Sequence, residues 1–349
     1  MMSGSHYKFL FYVTLSYSYP ILRPIEKELE KRGHTVAWFV RKGTEAEKFI
    51  KTSDAVLHTV SEIKAFNSDA VLVPGNTVPS FFPGIKVQVF HGFDSGKKNK
   101  FKIRGYFDLY CTQGPKTTEG FEAQRLAVKN PTFDVIETGW PKLDALFTQQ
   151  SENSSLKTES RKILYAPTFS PALTSTYALL DEIQRLSMER DWQWMVKFHP
   201  KVTAEEVAMY KAIENDNLRV IDADAVIPLL QSSDVLLSDT SSIMSEFSLL
   251  NKTVVSFNNR NPESWMINIT EAHQLEAGLL SALKPNLDIL KSITEHGKYV
   301  HPYHDGLSSQ RVVDAVETMI KNGTSHLKNK PLNLFRNLKM RIKLGYYGL

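Results

Sequence analysis

A chain of 349 residues, 42% hydrophobic and 23% charged, has the composition of a soluble globular protein and the length of two ordinary domains. No apolar run approaches the ~20 residues of a membrane-spanning helix, and the single cysteine, Cys111, excludes an internal disulfide and fits a reducing cytoplasm. The net charge is +4, with no acid after Glu317 and seven basic residues from Lys321 to Lys343; no recognisable nucleic-acid module accompanies them, so no nucleic-acid partner is expected.

In chain order, YKFLFYVT (7–14) reads as a buried strand; Tyr and Ser interrupt its apolar patch, so it is not a signal peptide. Leu22, Ile25 and Leu29 recur at helical spacing, Gly33 ends that helix, and TVAWFV (35–40) returns to β-type residues. Short strands are expected at 69–75, 86–92, 107–114 and 133–141, each closed by a glycine or a polar turn. The polar stretch 149–162 is the expected linker. A second alternation follows, with strands at 162–169, 193–200, 218–222, 234–239 and 253–259 and helices around 178–189 and 203–214. The fold class is therefore α/β, two Rossmann-like, doubly wound domains in tandem, 1–148 and 163–322, followed by a basic tail, 323–349.

Ligands of open α/β sheets bind beyond the carboxyl ends of the strands, and this rule selects candidates from both domains, in a cleft between them. His91 and Gly92 directly follow KVQVF (86–90), with Lys97 and Lys98 close behind to hold an anion; imidazole suits proton transfer near neutral pH. His199 precedes Pro200, which disfavours the helical conformation for it. Thr168 ends another strand. Asp239, Thr240, Ser241 and Ser242 crowd one strand-to-helix junction, where the choice lies between a helix cap and a phosphate cradle. Glu246 lies one turn on and is placed for ribose hydroxyls. Ser308 and Ser309 are cap candidates, and Arg311 sits in a first turn, against the dipole preference, as a residue reaching for an anion would. No His, Cys and Asp cluster has metal-site spacing, so no structural metal and no tightly bound cofactor is expected, and Mg²⁺ is not indicated.

Six segments occur in an order that resembles the CDP-glycerol glycerophosphotransferase family: VFHGFDSGKK (89–98), TGWPKLD (138–144), YAPTF (165–169), KFHPK (197–201), DVLLSDTSSIMSEFSLLNKTVV (234–255) and YHDGLSSQRVVDAV (303–316). The resemblance implies a GT-B fold and transfer of glycerol phosphate, or a related polyol phosphate, from a CDP-alcohol to a hydroxyl of a glycan or lipid-linked polymer, with release of CMP. It places the two essential histidines on His91 and His199. The diphosphate-binding segment falls on Asp239, Thr240, Ser241 and Ser242 with Glu246, and a further binding segment on Ser308, Ser309 and Arg311. His91 is the expected general base and His199 the expected stabiliser of the phosphoryl group. The rival reading is a sugar-nucleotide-dependent GT-B glycosyltransferase; a UDP-sugar 2-epimerase would need poised acids, and a non-catalytic nucleotide binder would not need the histidines.

In the tail, Phe335, Leu338 and Ile342 recur at helical spacing beside Arg336, Lys339 and Lys343. Such a helix either lies on an anionic membrane surface, which makes a cytoplasmic, peripheral location the expectation, or packs back on the N-terminal domain.

Overall fold

Runs such as KFLFYV and TVVSF carry apolar side chains at successive positions, so both faces of each strand must be covered, as in a parallel sheet flanked by helices. The structure, a computed structural model describing residues 5–93, 101–148, 160–222 and 226–347, has two such sheets. Strands β1 (Lys8–Val13), β2 (Thr35–Val40), β3 (Ala70–Val73), β4 (Ile85–Gln88), β5 (Leu109–Thr112) and β6 (Asp134–Glu137) make the first, ordered β2-β1-β3-β4-β5-β6. Strands β7 (Arg161–Tyr165), β8 (Trp192–Val196), β9 (Leu218–Val220), β10 (Val235–Ser238), β11 (Thr253–Phe257) and β12 (Met266–Ile269) make the second, ordered β12-β11-β10-β7-β8-β9. All neighbouring strands run parallel. The strand order reverses direction between β1 and β3 in one sheet and between β7 and β10 in the other, and crevices at such points are where α/β sheets take ligands.

The helices of the first half are α1 (Tyr19–Lys31), α2 (Val60–Phe66), α3 (Pro115–Leu126) and α4 (Asp144–Thr148). Those of the second are α5 (Thr176–Glu189), α6 (Ala204–Ala212), α7 (Ile227–Ser232), α8 (Ile243–Ser248), α9 (Leu275–Leu283) and α10 (Leu287–Val300), with α11 (Ser308–Asn322) and α12 (Leu334–Lys343) closing the chain. In α1 the expected stripe is buried: Leu22, Ile25 and Leu29 are joined by Tyr19 and Ile21.

The domain boundaries differ from the sequence reading in two places. Residues 149–159 lie outside the described residues, but Arg161 and Lys162, assigned to the linker, already belong to β7. The C-terminal boundary moves further, because residues from Val300 onward belong to the first unit and not to the domain expected at 163–322. The cause is the valine stripe of α11: Val312, Val313 and Val316 are buried, α11 packs on α1, and Arg32 pairs with Asp314 and Glu317.

TGWPKLD is the receiving end of that return. Asp144 is buried, and its carboxylate accepts hydrogen bonds from the Ser308 and Ser309 N–H groups, both at 2.8 Å, and from the Ser309 hydroxyl at 2.5 Å. It caps α11 from a distant part of the chain, where a negative charge also suits the helix dipole. Gly139 has φ +81°, and a Cβ there would lie 2.5 Å from the Ser308 hydroxyl, so only glycine permits this approach. The Trp140 N–H donates to Nε2 of His301 at 3.0 Å. Burial, aided by His304, holds the His301 pKa down to about 4, which keeps the ring neutral and able to accept.

The tail helix packs back on the first unit with one side and leaves the other exposed. Met340, Leu344 and Tyr346 join the first unit's core, Phe81 stacks on Tyr346, and Ser80 donates to Asn337 at 2.9 Å. On the other side Leu334, Phe335, Leu338 and Ile342 are exposed, Phe335 at 90%. No described helix is long and apolar enough to cross a membrane.

Candidate active site

His91 is set by the strand end that precedes it. Phe90 adopts φ +55°, an unfavourable conformation for a bulky residue, and is held there by packing on Phe121 at 5.2 Å between ring centroids. The chain therefore turns sharply after β4. Nδ1 of His91 lies 3.0 Å from the Pro74 carbonyl, beyond β3. A carbonyl can only accept, so Nδ1 carries the proton and the neutral ring keeps its lone pair on Nε2. Tyr17, beyond β1, stacks on the imidazole at 4.8 Å and 22°. Gly92 is open, with nothing described within 4 Å of where a Cβ would lie. Lys97 and Lys98 lie outside the described residues.

His199 follows β8, is exposed and packs against Phe169 at 4.5 Å between ring centroids. Its anchoring is opposite to that of His91. The Lys201 N–H donates to its Nδ1 at 3.1 Å, so Nδ1 bears the lone pair and Nε2 carries the proton of the neutral ring. One histidine thus has an accepting Nε2 and the other a donating one.

Between β7 and β10 the loops are tied by Asp239, which is fully buried. Its carboxylate accepts from the Thr168 N–H at 3.0 Å, the Ser175 N–H and hydroxyl at 3.1 Å each, and the Thr240 N–H at 2.6 Å. Burial pushes its carboxyl above the ordinary range against the pull of these donors. Asp239 was expected among the phosphate-binding groups; buried and fully engaged, it instead fixes the loops that carry Thr168 and Thr240.

The hydroxyls at this junction do not serve as a helix cap. Ser242, the N-cap of α8, makes no side-chain capping bond, and the hydroxyls of Thr240, Ser241 and Ser242 bond to no described residue. An ordinary cap in the same unit looks different: Thr203 and Glu206 bond reciprocally at the start of α6, the Glu206 N–H to the Thr203 hydroxyl at 3.2 Å and the Thr203 N–H to the Glu206 carboxylate at 3.2 Å. Three unengaged hydroxyls at a point of strand-order reversal are suited to oxygen-rich ligands. Glu246 is buried, with 3% exposure.

Ser308, Ser309 and Arg311, expected to bind the donor, are engaged within their own unit. They belong to the first unit, where Asp144 engages the two serines and Arg311 forms a two-pronged pair with Asp305 while lying 4.1 Å from the Tyr303 ring. The anion that Arg311 reaches is a carboxylate of its own chain. Among the described residues no group of three or more His, Cys, Asp or Glu is arranged to hold a metal. Cys111 is buried, which pushes its thiol up and leaves it unreactive.

Two Rossmann-like units with these crevices define a two-domain α/β protein of the GT-B type, and solved structures agree. The wall teichoic acid polymerase TagF matches with a TM-score of 0.65 at 15% identity over 90% of this chain and 89% of that one. A UDP-N-acetylglucosamine 2-epimerase matches with a TM-score of 0.61 at 18% identity over 94% and 98%. At such identities the likeness is one of fold alone. Residues 95–260 match the family model described as CDP-Glycerol:Poly(glycerophosphate) glycerophosphotransferase, so the family resemblance read from the motifs is borne out over just under half of the chain. The teichoic acid glycerol-phosphate primases of Bacillus subtilis and Bacillus spizizenii are 26% identical over 161 residues and 30% over 142, covering 45% and 37% of this chain. These segments span 41% and 35% of the primases' own length.

Proposed function

We propose that this chain transfers glycerol phosphate, or a related polyol phosphate, from a CDP-alcohol to a hydroxyl of a glycan or lipid-linked polymer. The reading is supported by the match over residues 95–260, by the relatives named as glycerol-phosphate primases and by a TagF crystal soaked with CDPG. The observation that carries it is the opposite anchoring of the two histidines.

In this reading His91 Nε2 takes the proton as the acceptor oxygen attacks the β-phosphorus. The bond from that phosphorus to the bridging oxygen breaks, and the oxygen leaves with CMP. His199 donates from Nε2 to the phosphoryl group or the departing oxygen, and Thr240, Ser241 and Ser242 hold the diphosphate. Phosphoryl transfer rests on positioning and charge stabilisation, which these groups supply without a change of covalent partner on the protein. The epimerase reading is disfavoured, because Asp239 and Glu246, the acids at this crevice, are buried. CMP formed from CDP-glycerol only in the presence of a hydroxyl acceptor is the expected product; intact CDP-glycerol would sink the reading.

We also propose that the exposed side of α12 rests on an anionic membrane. Leu334, Phe335, Leu338 and Ile342 face outward, Lys339 and Lys343 lie among them, and the chain has no acid beyond Glu317. Replacing Phe335 and Leu338 together by serine is expected to lower co-sedimentation with phosphatidylglycerol vesicles at least tenfold while leaving thermal unfolding within a few degrees. Undiminished sedimentation would contradict this.

A further inference from the structure

The crevice between β1 and β3 carries groups that the catalytic reading does not use. Tyr17 lies beyond β1, and its half-buried ring covers one face of the His91 imidazole. Its hydroxyl bonds to no described residue, although it stands beside the Gly75 turn: a Cβ at Gly75 would lie 3.8 Å from it. Burial pushes the phenol above its ordinary range, so at neutral pH it is an O–H donor. On the other flank of the His91–Gly92 turn stands Gln113, at 1% exposure. Its amide N–H holds the Gly92 carbonyl at 3.1 Å, and its Oε1, buried, accepts from no described residue.

A buried acceptor without a partner is costly, and in a native protein it calls for an explanation, of which a bound ligand is one. Here an unfilled donor belongs to the ring that stacks on the base, an unfilled acceptor belongs to the side chain that holds the Gly92 carbonyl, and Thr14, beside Gly75, is also uncharged. A ligand that brings hydroxyls, each a donor and an acceptor, matches this chemistry; a phosphate would meet no cation among these groups.

We infer that Tyr17 and Gln113 form the acceptor subsite of this chain, with Tyr17 as the positioning residue that fixes the His91 ring and donates to a neutral polyol hydroxyl. The inference rests on the phosphotransfer reading for its substrate, but the stack on His91 can be tested apart from it. Tyr17→Phe keeps the ring and loses the O–H donor; Tyr17→Leu loses both.

With CDP-glycerol and an oligo(glycerol phosphate) acceptor, Tyr17→Phe is expected to raise the acceptor KM about tenfold while kcat falls less than threefold. Tyr17→Leu is expected to lower kcat at least thirtyfold, and the intermediate behaviour of Tyr17→Phe is the rescue that a ring stack requires. In parallel, carbethoxylation of His91 by diethyl pyrocarbonate, followed by mass spectrometry, is expected to run at least threefold faster in Tyr17→Leu and at the native rate in Tyr17→Phe. Equal kinetics for the two variants, or a native acceptor KM in both, would overturn the subsite. Native labelling of His91 in a folded Tyr17→Leu protein would overturn the positioning role. If the native chain does not use CDP-glycerol at all, the phosphotransfer reading fails and the labelling rates alone decide whether Tyr17 holds His91.

Discussion

His91→Asn is expected to lower CMP formation from CDP-glycerol by about 10³-fold, within the range that a lost general base costs. Asparagine retains an amide N–H at the Nδ1 position that can donate to the Pro74 carbonyl, so the turn after β4 is kept and only the basic Nε2 is removed. CDP-glycerol affinity, read by calorimetry, should therefore change less than threefold. His199→Asn acts on the other side of the reaction, because it deletes a donor and not a base. Its expected loss is about 10²-fold, the size of a missing oxyanion-type contact. Near-native turnover in either variant would remove that histidine from the mechanism.

Asp239→Ala is expected to destabilise the protein by about 3–5 kcal/mol, because several donors at this junction lose their acceptor at about 1–3 kcal/mol each where they stay buried. The Thr168, Ser175 and Thr240 N–H groups and the Ser175 hydroxyl would all lose their acceptor, while the Ser238 hydroxyl bond to the Ala166 carbonyl would remain to link the two segments. Asp239→Asn presents N–H to N–H on one side of the carboxylate position and should fall between alanine and the native chain. Urea unfolding measures both. A loss below about 1 kcal/mol in Asp239→Ala would mean that the carboxylate does not organise this crevice, and the assignment of a locking role would fail.

The elements that recur as apolar strand runs were legible, since a parallel strand covered on both faces must be apolar throughout; β1, β10 and β11 stand where KFLFYV, DVLL and TVVSF foretell them. His91 and His199 were legible as strand-end polar groups. What they can do was not, because the tautomer of His91 is fixed by a carbonyl seventeen residues earlier and that of His199 by the Lys201 N–H. Asp239 shows the same limit: a carboxylate at a strand end can point out to a ligand or back to the loops, and only the position of Ser175 decides. The return of α11 to the first unit was hidden as well. A valine stripe announces burial without saying against which sheet, and the signal that would have revealed the partner, Asp144 in TGWPKLD, looks like an ordinary turn acid. Tyr17 carried a faint mark, an aromatic ring directly after the first strand, in the segment LSYSY.

The most direct test of phosphotransfer is the identity of the nucleotide released. The purified chain is incubated with CDP-glycerol, CDP-ribitol or a UDP-sugar, each with and without an oligo(glycerol phosphate) or lipid-linked glycan acceptor, and nucleotides are separated by ion-exchange chromatography. The expected result is acceptor-dependent CMP from a CDP-alcohol, in step with growth of the acceptor by one polyol phosphate per CMP. Release of UDP from a UDP-sugar, with both CDP-alcohols left intact, would contradict it and identify a glycosyltransferase instead.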